Sequence, residues 1–148
     1  MALTEQTIKA LKAEGFLHNR GTENFSARII TGNGTLQAEM LSQLSHLSET
    51  YGDGMVSLTG RLTVEIPGIP YSRIPAFREE VASLSLTTGG TGAKVRPVVA
   101  CKGSTCIYGL VDTQSLAQRI HTAFSWLPAR WLFGLSLRVF LQILDRDT

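Results

Sequence analysis

Apolar positions along the chain recur at two spacings, three-and-four for helices and every second residue for strands, and they predict its elements. Leu36, Met40, Leu41, Leu44 and Leu47 form one helical stripe, so a helix is expected over residues 35–51, capped by Thr35 and stopped by Gly52-Asp53-Gly54. Ile8, Leu11 and the stem of Lys12 give a shorter helix one apolar edge, with Thr4 as its cap and Gly15 at its end. A third helix is expected over residues 74–84, with Pro75 in its first turn and Phe77, Val81 and Leu84 inward. A fourth runs over residues 113–124. Strand-like runs cover residues 25–31, 55–59, 62–66 and 95–100, the third of them broken by Pro67, Gly68 and Pro70. The order strand, helix, strand, strand, helix is most of a ferredoxin-like split unit, which makes the fold class α+β.

After Phe124 the pattern changes. Residues 125–148 carry both tryptophans and many leucines with little turn chemistry, yet Pro128, Arg130 and Arg138 interrupt them too often for a membrane helix. The expectation is an apolar C-terminal helix that packs on the body or joins copies into a homo-oligomer. At 148 residues the chain is long enough to bury a sizeable core. Ten arginines stand against four lysines, a bias that suits carboxylate or phosphate recognition. No basic run is interleaved with stacking aromatics, which argues against nucleic acid. Charges at Glu5, Lys9, Lys12 and Glu14 exclude a signal peptide, and two cysteines make no disulfide framework, so a reduced cytoplasmic setting is expected. His18, His46 and His121 are isolated and read as structural.

The chemistry concentrates in residues 95–112, V-R-P-V-V-A-C-K-G-S-T-C-I-Y-G-L-V-D. Cys101 and Cys106 sit on a short Gly/Ser/Thr turn whose backbone N–H groups can hydrogen-bond thiolate or inorganic sulfur. A glycine-rich loop, T-T-G-G-T-G, precedes it. That loop lacks the lysine and spacing of a phosphate loop, and no strand-linked G-x-G-x-x-G supports pyridine-nucleotide binding.

The runs I-P-G-I-P, T-G-G-T-G, V-R-P-V-V-A-C-K-G-S-T-C and G-L-V-D-T resemble the sirohaem-dependent nitrite and sulfite reductase family, over residues 14–124. The resemblance implies a ferredoxin-like half domain (βαββα) over residues 1–88, the start of a 4Fe-4S/sirohaem domain over 89–124, and a divergent tail over 125–148. It implies nitrite or sulfite reduction at sirohaem iron, with electrons from the cluster and from an electron-donor protein or domain. Arg61 and Arg96 match the arginines aimed at the oxyanion. Cys101 and Cys106 match the first ligand pair of the cluster. The 89–94 loop, with Thr91 at its centre, matches the macrocycle lining, and Arg28, Lys94 and Lys102 are placed to neutralise sirohaem carboxylates. Cationic donors stabilise the negative charge that builds as oxygens leave, and thiolates match iron.

One departure is decisive. The family's cluster takes four cysteines, and this chain has two, spaced by four residues where many members have five. Leu127-Pro128 is followed by Ala129-Arg130-Trp131 and not by a lysine-rich motif. The chain is therefore expected to hold neither cofactor fully alone, and to be truncated or frame-shifted after residue 124. Two alternatives stand beside the reductase reading: a non-catalytic accessory module docking by its tail, and an inactive remnant.

Overall fold

In the computed structural model, residues 3–128 are described, and the expected tail lies almost wholly outside them. Four strands form one antiparallel sheet in the order β1-β2-β4-β3, with β1 Phe16–His18, β2 Asn24–Ile29, β3 Ser57–Leu58 and β4 Val64–Pro70. Four helices accompany it, α1 Glu5–Ala13, α2 Ala38–Tyr51, α3 Ile74–Ser83 and α4 Thr113–Phe124.

Strict alternation along β2 sends Phe25, Ala27 and Ile29 into the core and leaves Ser26 and Arg28 on the other face. Val64, Ile66 and Ile69 of β4 join them, and Leu44 and Leu47 of α2 with Ile74, Phe77 and Val81 of α3 complete one cluster. At its centre Phe77 meets Phe16 edge-on at 6.0 Å and Tyr51 at 5.6 Å between ring centroids. The opposite sheet face stays polar, and there Arg28 stands across from Glu65 in register.

Several elements differ from the sequence pattern. β4 does not break at Pro67-Gly68 but runs on to Pro70, because the pairing steps from Ala27↔Ile66 to Phe25↔Ile69 and so takes one extra residue. This β-bulge absorbs Pro67, which has no N–H to pair, and Gly68, whose φ of +82° suits glycine. α2 starts at Ala38 with Gln37 as its cap, since Thr35 closes the preceding turn by an N–H bond to Gly32 (3.0 Å). Leu41 falls off the core stripe and is 52% exposed. The three-residue β1 is too short to show a period.

Residues 95–100 pair with no strand among the described residues. Val95 donates to the Leu127 carbonyl (3.2 Å), but Pro97 can donate nothing, so no ladder extends along this segment. α4 spans the expected residues, and the Asp112 carboxylate caps it by accepting from the Ser115 N–H (3.1 Å). No helix among the described residues is long and apolar enough to cross a membrane.

Candidate functional site

The site begins where β1 runs out. Residues 87–89 take β1's place beside β2, with Ile30 donating to the Thr87 carbonyl (2.8 Å) and Gly89 donating to the Arg28 carbonyl (3.2 Å). The chain then turns at Gly90, where φ is +63° and a Cβ would lie 2.5 Å from the Pro97 ring. Only glycine meets both demands. Thr91 is fully buried, and its hydroxyl donates to the Lys12 carbonyl, so its side chain locks the loop to α1 and offers nothing to a ligand.

The loop thereby aims the Gly90 carbonyl at two guanidinium groups. Arg28 donates to it at 3.5 Å and Arg96 at 3.3 Å. Arg28 is also held by Glu65, through Nε at 2.8 Å and Nη2 at 2.5 Å, with both side chains largely out of solvent. Arg96 has no carboxylate partner among the described residues. The pair therefore carries one compensated and one uncompensated charge around one carbonyl.

Lys94 lies nearby, its ammonium 3.4 Å from the Trp126 carbonyl, on a cavity of about 240 Å³ walled by the Gly89-Gly90 turn and His121. Burial holds His121 below the ordinary histidine range, and its Nδ1 is enclosed with no partner among the described residues. Residue spacing gives no sign of this cavity wall.

Arg61 does not join this cluster. It is exposed on the β3–β4 turn, where its N–H bonds Thr59 Oγ1 (3.3 Å), and that turn is tied to β2 by the Thr31 hydroxyl donating to the Leu62 carbonyl. The guanidinium that meets Arg96 is Arg28, expected from sequence only as an auxiliary contact.

Cys101 and Cys106 flank a 3₁₀ turn, Gly103–Thr105, that begins after the exposed Lys102. Cys101 Sγ lies 3.4 Å from the Thr113 hydroxyl and accepts the Gly103 N–H at 3.4 Å. These two contacts, Thr113 first, hold its thiol below the ordinary range. Cys101 is exposed and Cys106 half-buried, so Cys101 should alkylate first near neutral pH. Thr113→Val should slow its labelling a few-fold, as followed by peptide mass spectrometry of iodoacetamide-treated protein; an unchanged rate would contradict the hydroxyl's role.

Four residues separate Arg96 from Cys101, which allows at most about 17 Å between their backbones. The Gln114 amide donates to the Cys101 carbonyl (2.7 Å), and Asn33 donates to the Gln114 carbonyl (3.3 Å), so α4 links the cysteine turn to the turn after β2. Between these elements opens a cleft of about 1020 Å³, lined by Asn33, Thr105, Gln114 and Arg119 among others. None of its lining stands out in the sequence, because these polar residues meet only through the fold.

Comparison with known proteins decides the family. Residues 18–84 match the family described as Nitrite/Sulfite reductase ferredoxin-like half domain. The chain carries a nitrite/sulfite reductase ferredoxin-like half domain. The half domain accounts for β2, α2, β3, β4 and α3.

An uncharacterized protein of Methanocaldococcus jannaschii is 34% identical over 118 residues, covering 76% of this chain and 41% of that protein. One subunit of the anaerobic sulfite reductase of Salmonella typhimurium is 32% identical over 117 residues, covering 69% of this chain and 34% of its own length. The chain thus spans less than half the length of these curated relatives. The NirA protein of Mycobacterium tuberculosis shares the fold, with a TM-score of 0.71 at 14% identity over 84% of this chain and 26% of its own.

Family cofactors do not fit this chain alone. A 4Fe-4S cluster is held by four thiolates, and two are present; no group of three or more potential ligands exists among the described residues. Of the cations expected around sirohaem, Lys94 alone lines the 240 Å³ cavity, which is below the roughly 300–1,000 Å³ of ordinary ligand pockets, and the larger cleft is lined by none of them.

Proposed function

We propose that this chain is a module of a nitrite or sulfite reductase that grips the small oxyanion and offers a thiolate pair to a soft metal, with the rest of the site supplied from elsewhere. Residues 89–124 would be the start of the metal-bearing domain. The observation that carries this reading is the convergence of Arg28 and Arg96 on the Gly90 carbonyl.

A carbonyl that orients two guanidiniums leaves their remaining N–H groups free to fork onto an anion. Arg96, without a carboxylate of its own among the described residues, supplies the net charge, and Lys94 adds a second cation nearby. Glu65 keeps Arg28 fixed, so the donors need not reorganise when the anion arrives. Reduction itself needs several electrons and belongs to cofactors this chain does not complete. The Cys101–Cys106 turn is favoured as a ligand pair by the N–H bond to Cys101 Sγ.

Isothermal titration of the reduced protein with sulfite and with nitrite tests the grip. One saturable site per chain that weakens with added salt is the expected result. Sulfite binding no tighter than chloride would overturn the reading.

A further inference from the structure

We propose that His121 takes up a proton as the oxyanion binds, and that its Nδ1–H and the Lys94 ammonium then hold the anion in the cavity beside the Gly89-Gly90 turn. The proposal rests on the reading of that turn as an anion grip, and it adds the proton that enters with the anion. His121 stands on α4, yet it lines the same cavity of about 240 Å³ as Gly89, Gly90 and Lys94. The Val95 N–H donates to the Leu127 carbonyl (3.2 Å) and the Lys94 ammonium to the Trp126 carbonyl (3.4 Å). These bonds pin the end of α4 against the loop and keep His121, one turn earlier, beside it. A water's share of liquid volume is about 30 Å³, so the cavity takes nitrite or sulfite with water to spare, but no macrocycle.

An enclosed ring nitrogen without a partner is costly, and among the described residues nothing satisfies Nδ1. Neutral, the ring leaves that nitrogen unbonded; protonated, it becomes a cation that burial disfavours. A bound anion removes both difficulties, since Nδ1–H donates to an anion oxygen and the two charges compensate. Among the described residues Lys94 is the other charged group on the wall, and no carboxylate lines it. Ala13 of α1, Ile30 after β2, Thr88 of the loop and Ser125 after α4 bring no charge. Arg28 and Arg96 meet the turn at the Gly90 carbonyl without lining the cavity, and Arg119 lines the larger cleft. The negative charge His121 would face there is therefore that of the incoming anion. One proton moves from solvent to Nδ1, one anion enters, and no covalent bond of the anion changes. Anion affinity is then highest while the free ring is already protonated, and it falls as pH rises through the titration of the complex.

Nitrite is the probe, because it keeps one negative charge across the window of about pH 5–8 in which histidine titrates, whereas sulfite takes up protons itself. Titration calorimetry of the full reduced chain, in two buffers of different ionisation heat, should show proton uptake approaching one per nitrite bound. Affinity should fall about tenfold as pH rises through that window. Nuclear magnetic resonance of the histidine rings should show His121 titrating at higher pH in the nitrite complex, with His18 and His46 unmoved. His121→Gln should bind nitrite with the weaker, high-pH affinity at every pH and take up no proton. Nitrite binding without proton uptake, or a pH slope that survives in His121→Gln, would overturn the role of His121 and leave the arginine grip standing. Should His121→Gln fail to fold, the ring titration of the parent decides, and an unmoved His121 overturns the proposal. No nitrite binding at any pH would overturn the grip and this proposal together.

Discussion

Phe77→Ala is expected to lower the unfolding free energy by about 3–5 kcal/mol, the largest single effect in the molecule. Phe77 is fully buried between the rings of Phe16 and Tyr51, at the point where β1, α2 and α3 converge. Removing the ring loses its transfer free energy and leaves a cavity that two edge-on aromatics cannot collapse to fill. A domain of this size has only about 5–15 kcal/mol to lose, so the variant should unfold at a much lower urea concentration. Phe77→Leu should recover more than half of the loss. A midpoint for Phe77→Ala close to that of the parent would mean the helices do not pack through this residue.

The second large effect concerns the anion. Arg96→Met should weaken sulfite binding by about ten- to a hundredfold, since a hydrogen bond to a charged group contributes roughly 1.5–3 kcal/mol. Stability should barely change, because Arg96 is exposed and among the described residues bonds only one carbonyl. Glu65→Gln should act oppositely on the two readouts. It leaves Arg28 without its counter-charge in a largely buried position, costing about 1–3 kcal/mol of stability, and it removes the carboxylate that competes with an incoming anion. Sulfite should then bind a few-fold tighter. Sulfite binding unchanged in both variants would indicate that the pair serves the fold and not an anion.

How much of this was legible in the sequence varies with the physical range of each signal. The fourth helix lies where the sequence places it, because a cap such as Asp112 acts within a few residues. The phenylalanine, alanine and isoleucine of β2 alternate as the pleat requires. Pro67 and Gly68 misled, because a bulge depends on the register with a strand some forty residues earlier. Residues 95–100 misled in the other direction: a run of valines looks like a strand, but a ladder needs a partner edge, which local composition cannot supply.

The candidate site was partly visible for the same reason. Cys101, Cys106 and Arg96 stand in one continuous run, so the sequence singles them out together. Arg28 meets Arg96 only through β2, its register with Glu65, and the carbonyl of Gly90, which lies sixty-two positions away along the chain. Arg61 sits in an equally suggestive run, but its turn follows the far end of the sheet. The Asn33, Gln114 and Arg119 cleft carries no sequence signature, since each residue alone is an ordinary polar surface position.

Whether Arg28 and Arg96 together form an anion grip is tested most directly by nuclear magnetic resonance of the arginine side chains. On titration with sulfite, the Nε–H signals of Arg28 and Arg96 and the amide of Gly90 should shift together along one saturable curve, while that of Arg61 stays in place. Shifts at Arg61 alone, or equal small shifts at every arginine, would contradict the grip.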